Sequence, residues 1–408
     1  MTALVILFWL SAGLIVYTQA GYGFLLAALV RLIRHAPARP HAVVGEGVGA
    51  NAPAGVGDDA GAGDGAGGGA GARATGGAIQ VSVIVAAYAE QDVIAARVAN
   101  LRALDYPAAA LELIVACDGS PDETAARARA AGAGLVLELS RGGKIRAQDA
   151  AVRRARGEIL AFSDANAVWA PDALTRLLEA FADPRVGYVC GDVRFVNERG
   201  TNQEGLYWRY EMVLRRLESR LRSVTGGNGA IYATRRDSYL EVDPIMGHDL
   251  SFPFNMVKRG WLAVYAPDAC AIEKMVPSIE GEFARKRRMM SHGWPIVLRG
   301  GMLSPRGYGP LYTLMIFSHR VLRYSSPFLH LLLLAASLAL VAHGWIYAAA
   351  LVAQVALLLA ALLAGAVPVR PLLLARYYVL TTASLAAGLW DWLAHGTQAG
   401  WEPAQGTR

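Results

Sequence analysis

Asp164 and Asn166 stand two residues apart in Phe162-Ser-Asp-Ala-Asn-Ala. Two oxygen-bearing side chains at that spacing on a turn can face one hard cation. A magnesium-type ion is commonly held by one or two carboxylates together with substrate phosphates. Asp and Asn are also ordinary turn formers, which explains the same pair without chemistry. Four acidic residues, Glu90, Asp118, Asp164 and Asp249, fall at or near the ends of runs that read as strands. Ligands of open α/β sheets bind beyond the carboxyl ends of the strands. Asp118 and Asp122 bracket Gly-Ser-Pro, which suits either a helix cap or a carboxylate for base or ribose hydrogen bonds, with Tyr88 as a flat face. Arg141-Gly-Gly-Lys144 ends a loop in a cation, suited to a phosphate or simply to the surface.

The elements that must position these residues alternate. Apolar runs at 81–88, 111–117, 135–139 and 158–162 read as strands, separated by helical patterns at about 91–104, from Asp122, and through Ala155. Alternation of this kind argues a parallel sheet covered on both faces. After 162, Pro171 opens a helix whose Leu174, Leu177, Leu178 and Phe181 recur at helical spacing. Strands are expected at 186–196, 229–234 and 262–266, a long helix at 204–222, and another from Gly247. No Gly-x-Gly-x-x-Gly follows the first strand, so a dinucleotide fold of the usual kind is not indicated.

Composition places part of the chain in lipid. Apolar residues make up 54% and charged residues 18%, and the net charge is +6. That mild basic excess beside apolar spans suits acidic headgroups and basic loops rather than nucleic acid. Residues 1–32 read as a transmembrane helix, uncharged as far as Val30, with Arg31, Arg34 and Arg39 after that point, and 33–78 as a flexible Gly/Ala-rich linker. An α/β domain is expected over 79–278 and interfacial helices over 279–322. Three further spans fill 323–396 (runs at 324–343, 345–367 and 372–394), and a tail follows at 397–408. With basic flanks inside, the domain faces the cytoplasm and both termini lie on the far side. Residues 280–297 join Met and aromatic side chains to Arg285-Lys-Arg-Arg288, which suits a membrane surface or an ordinary solvated helix. Cys117, Cys190 and Cys270 lack metal spacing and are expected as buried thiols in a reducing compartment.

In order, Ala87-Tyr-Ala-Glu90, Cys117-Asp-Gly-Ser-Pro-Asp122, Gly143-Lys144, Ser163-Asp-Ala-Asn166 and His248-Asp249 resemble the motifs of glycosyltransferase family 2, over about residues 79–300. The flanking apolar runs resemble its membrane-anchored bacterial members that build polysaccharides. The resemblance implies a GT-A fold and a nucleotide-diphosphate sugar donor, most often UDP-linked. It implies that Tyr88, Glu90 and Asp118 hold the nucleoside, with Lys144 near it, and that Asp164 and Asn166 place Mg²⁺ or Mn²⁺ on the diphosphate. Asp249 matches the general base, and His248 stands where the family carries Glu. The processive motif Gln-x-x-Arg-Trp is replaced by Arg285–Arg288 and a later Trp294, so Arg287 and Arg288 are expected at the donor diphosphate.

Displacing the diphosphate in line would invert the anomeric centre, with Asp249 taking the acceptor proton. Gly227 and Asn228, in Thr225-Gly-Gly-Asn-Gly-Ala230, could admit the acceptor closely or form a strand-entry turn. Trp208 and Trp294 could stack on it, and Trp208 could equally fill the core. The expected acceptor is lipid-linked or a growing glycan at the inner membrane of a bacterium, with membrane lipids and other export or assembly proteins as partners. Two alternatives stay open: transfer directly to polyprenyl phosphate, and a non-catalytic nucleotide-sugar-binding scaffold.

Overall fold

The computed structural model describes residues 1–34, 78–196 and 204–400. Nearly all of the linker expected at 33–78, and the tail beyond 400, lie outside the described residues.

An eight-stranded sheet organises the domain, in the order β3-β2-β1-β4-β7-β6-β8-β5. Its strands are β1 (Val81–Ala87), β2 (Leu111–Asp118), β3 (Leu135–Leu139), β4 (Ile159–Asp164), β5 (Val168–Trp169), β6 (Val186–Val196), β7 (Tyr232–Arg235) and β8 (Leu262–Lys274). The first four form a parallel block. β7 runs antiparallel to both β4 and β6, β8 lies parallel to β6, and β5 closes the edge antiparallel to β8. The central β1 is buried along its whole length. Its alternate residues serve opposite cores, Val81, Val83 and Val85 on one face and Ile84 and Ala86 on the other. That two-sided burial is why its sequence is continuously apolar.

Helices α3 (Ile94–Arg102), α4 (Thr124–Ala130), α5 (Lys144–Val152), α6 (Ala173–Glu179), α7 (Glu204–Leu221) and α8 (His248–Lys258) surround the sheet. Two strand limits differ from the sequence pattern. β8 runs to Lys274 because it pairs with β6 as far as Val196. β7 starts only at Tyr232, since the Ile231 amide donates to the Asn228 side chain (2.9 Å) in a turn. Cys117 and Cys190 are buried, and burial pushes both thiols up to about 11; Cys270, expected buried, is only half-buried.

Around the domain lie α1 (Thr2–Val16), continuous through a π-turn with α2 (Tyr22–Arg34), then α9 (Ile279–Leu298), α10 (Pro310–Ile316), α11 (Ser326–Leu340), α12 (Trp345–Leu363) and α13 (Arg370–His395). Among the described residues four helical stretches are long and apolar enough to cross a membrane: Thr2–Ile33, Ser326–His343, Trp345–Leu363 and Arg370–His395. Only the first half of Thr2–Ile33 packs on α11, through Phe8, Leu333 and Leu340. In its second half Tyr22 and Leu26 are buried in a cluster with Leu214 of α7, Phe254 of α8, Ile296 of α9 and Tyr312 of α10. Polar bonds reinforce this joint. Glu218 accepts from Tyr22 (2.6 Å) and meets His319 (2.7 Å), while Arg323 donates to Glu211 (3.0 Å).

The far placement of the carboxyl-terminal segment is corrected. Both ends of α13 touch α9: Arg376 pairs with Glu280 (2.6 Å) at one end and Asp391 with Arg287 (2.6 Å) at the other. Beyond it, Thr397 donates to the Ser291 carbonyl (2.6 Å), and Ala399 reaches Gly143 in the α/β domain.

Candidate active site

Strand register gathers the first residues. Ala86 of β1 lies beside Asp164 of β4, and Ala87 beside Cys117 of β2. Tyr88, Asp118 and Asp164 therefore emerge together from one sheet edge. Glu90 is buried there, its amide donating to Thr124 (2.9 Å).

Asp118 is committed to a loop. Its carboxylate accepts from the Gly142 (2.7 Å) and Gly143 (2.9 Å) amides and from Arg141 (3.3 Å). This holds the Arg141 guanidinium 3.2 Å over the Tyr88 ring, a cation–π stack. Gly143 has φ +97°, a conformation glycine adopts at no steric cost. The loop then opens α5 with Lys144, whose ammonium pairs with Asp164. Burial alone would lower the Lys144 pKa, but Asp164, with Asp249 and Glu273 beyond it, raises it above its ordinary value. Beneath Asp164, the buried Arg97 donates to Ser163 (2.6 Å), and burial brings its pKa down to about 9.

Asp249 sits in the first turn of α8 after Gly247, half-buried. Its carbonyl accepts from the Gly227 amide (2.6 Å). A side chain on Gly227 would collide with the Tyr188 hydroxyl, and one on Gly229 would lie 3.2 Å from both Asp164 Oδ2 and Lys144 Nζ. The glycine loop thus closes over the Asp164–Lys144 ion pair. Asn228 instead ties the turn, donating to the Gly191 carbonyl (2.8 Å). His248 is turned away into an aromatic box. It stacks on Phe252 (3.9 Å) and bonds the Tyr232 hydroxyl through Nδ1 (2.8 Å). Burial, then Lys144, holds its pKa well below the usual histidine range, so it is neutral.

Some expected residues lie elsewhere. Successive helical residues point about 100° apart, so the 285–288 cluster is divided around α9. Arg285 binds Glu282 (2.7 Å), Lys286 binds Tyr377 (2.7 Å), and Arg287 is a fork on Asp391 (2.6 Å twice) rather than a donor ligand. Arg288 does line the cavity beside Tyr88, about 630 Å³ in volume, with Arg141, Gly142 and Arg146. Trp294 is buried against α13, donating to the Leu385 carbonyl (2.8 Å), which removes it from an acceptor. Trp208 packs on Phe195 and donates to the Val193 carbonyl (2.6 Å), and it stays half-buried. Sequence reasoning missed Arg146, and also Gln398, Ala399 and Gly400, which complete the cavity wall. Gly229 lies in the glycine-rich stretch the sequence singled out; the last three carry no local signal.

The donor set suits Mg²⁺ or Mn²⁺. The Asp164 side chain is 29% exposed, with Oδ2 toward a residue lacking a side chain, and Asn166 stands two residues on. Among the described residues no group of three or more His, Cys, Asp or Glu could hold an ion alone, so phosphate oxygens would complete the shell.

Residues 82–242 match the model of glycosyl transferase family 2. The chain carries a glycosyltransferase family 2 domain. This domain is similar to N-acetylglucosaminyltransferases of Mesorhizobium japonicum and Rhizobium sp. (strain N33). Each is 27% identical over 161 residues, covering 36% of this chain and 38% and 36% of those proteins. The chain thus matches less than two-fifths of the length of these curated relatives. The structure is similar to that of a mannosyltransferase from Pyrobaculum calidifontis in complex with GDP-Man and Mn²⁺ (TM-score 0.63, 27% identity). That likeness covers 78% of this chain and 87% of the other, and it establishes the GT-A fold of the family 2 domain.

Proposed function

We propose that the protein is a membrane-bound inverting glycosyltransferase. It moves a sugar from a nucleotide-diphosphate donor to a lipid-linked or growing glycan acceptor at the cytoplasmic face of the bacterial inner membrane. The observation that carries this reading is the closure of the Gly227–Gly229 loop over Asp164 and Lys144, with Asp249 bonded to the same loop. Donor phosphate, metal and base would then meet at one point.

Tyr88 and Arg141 would take the nucleobase between the cavity walls, and Arg288 would face the phosphates. Asp164 and Asn166 would hold Mg²⁺ or Mn²⁺, which when bound supplies charge stabilisation for the leaving diphosphate. Lys144, released from Asp164, adds a positive charge on the leaving side. Asp249 accepts the acceptor hydroxyl proton as the new bond forms. His248 is neutral and buried, so it holds the first turn of α8 rather than sharing the proton.

Direct transfer to polyprenyl phosphate, an anionic acceptor near the membrane, would call on the basic cluster of α9, three members of which are engaged with Glu282, Tyr377 and Asp391. A glycan acceptor is the better reading. The relatives point to N-acetylglucosamine and GDP-mannose, so both donor classes belong in the test. Purified protein in lipid is given UDP-GlcNAc, UDP-glucose or GDP-mannose with Mn²⁺ and a membrane lipid extract, and released nucleoside diphosphate is followed. Release from one donor, reduced about 10²–10⁴-fold in Asp249→Asn, is expected of a general base. Nucleotide-sugar binding with no release under any acceptor condition would favour the non-catalytic scaffold.

A further inference from the structure

The nucleoside end of the cavity is not closed by the family 2 domain alone. Tyr88 comes from the end of β1 and Arg141 and Gly142 from the loop before α5, but the outer side is built by Gln398, Ala399 and Gly400. These residues follow α13 and lie some 250 positions beyond the loop they face. Their path is fixed at three points. Gly396, at φ +72°, ends α13 and turns the chain. Thr397 then bonds the Ser291 carbonyl of α9 (2.6 Å). The Ala399 carbonyl finally lies against the bare Cα of Gly143, where any side chain would strike it. Gly143 is thus required twice, by its φ and by this contact. A Cβ on Gly400 would lie 3.6 Å from the guanidinium of Arg141, the group stacked on Tyr88.

We propose that Gln398–Gly400 is the outer wall of the donor nucleoside site, and that Gln398 meets the edge of the nucleobase. This rests on reading the cavity as the donor site. A carboxamide carries both a donor and an acceptor, which suits the imide edge of uracil or the amide edge of guanine. The wall also ties donor binding to the seating of α13 on α9, since Thr397 and Asp391 anchor the segment to that helix.

The test uses the full chain with Gln398→Cys, reconstituted in lipid, and a bulky maleimide, with the unsubstituted chain as control for its three native thiols. UDP or GDP with Mg²⁺ should slow labelling at position 398 at least fivefold, and the labelled protein should bind that nucleotide at least tenfold more weakly. A chain ending at Gly396 should show the same loss in donor KM with kcat within about twofold. Nucleotide binding that is intact before labelling and unchanged after it, with no protection, overturns this proposal alone. Absence of nucleotide binding by the unlabelled full chain overturns the functional reading as well.

Discussion

The ammonium of Lys144 rests on the carboxylate of Asp164, joining the first turn of α5 to the end of β4. The pair is only partly exposed, at 26% and 29%, and Gly229 faces both members. Asp164 Oδ1 is thereby engaged by a cation of the chain itself, at the position where a divalent ion would need it.

Lys144→Met removes that competitor. Mn²⁺ should bind the donor-free variant about tenfold more tightly, since a close like charge disfavours a second cation. Turnover should fall because the leaving group loses a positive neighbour. Electron paramagnetic resonance titration of free Mn²⁺ reads the first effect without reference to activity. Weaker Mn²⁺ binding in the variant would mean that Lys144 assists rather than competes.

Arg287 and Arg288 are adjacent but face different partners. Arg288→Ala should raise donor KM at least tenfold, as expected for loss of a charge-assisted contact. Arg287→Ala should leave kinetics within about twofold and cost under about 1 kcal/mol, because its ion pair with Asp391 is partly solvated. Parallel kinetics and thermal unfolding of the two variants decide it, and equal kinetic losses would reject the division of the cluster around α9.

Gly229→Ala separates folding from chemistry. Gly229 does not have a positive φ, so its backbone conformation is open to alanine, and the stability cost stays small where the two partly exposed side chains give way. The new methyl would press on Asp164 Oδ2 and Lys144 Nζ at 3.2 Å. The expected result is a nearly unchanged Tm with kcat/KM down at least tenfold. Full activity would show that the loop moves away from the pair during turnover.

Asp149 sets an unusual pH dependence. Burial raises its pKa to about 6, against the opposing hydrogen bond from Tyr239 (2.6 Å). A raised carboxyl contributes stability that is complete below its unfolded pKa of about 3.9 and is lost as pH rises through about 6. His248 works oppositely: its lowered pKa contributes stability present above about 6.5 and lost as pH falls towards the folded value. Asp149→Asn should therefore be more stable than the parent above pH 6, with the difference shrinking towards pH 4. Thermal unfolding from pH 4 to 8 measures this, and a constant difference would exclude Asp149 as the source.

The sequence by itself determined the parallel block and the order of its chemistry. Strands buried on both faces must be apolar throughout, so β1, β2 and β4 were legible, and with them the shared edge for Tyr88, Asp118 and Asp164. The apolar helices were legible for the same reason, since burial in lipid or protein requires long runs without charge. Tertiary structure decided which apolar face meets which neighbour. It turned Arg287 to Asp391 and Arg288 to the cavity, buried Trp294 on α13, and folded His248 into an aromatic box. It also brought Gln398–Gly400 back to the loop at Gly143. Local periodicity records that a residue is covered. The covering partner, 104 positions away for Arg287 and 91 for Trp294, depends on how the helices are rotated and packed.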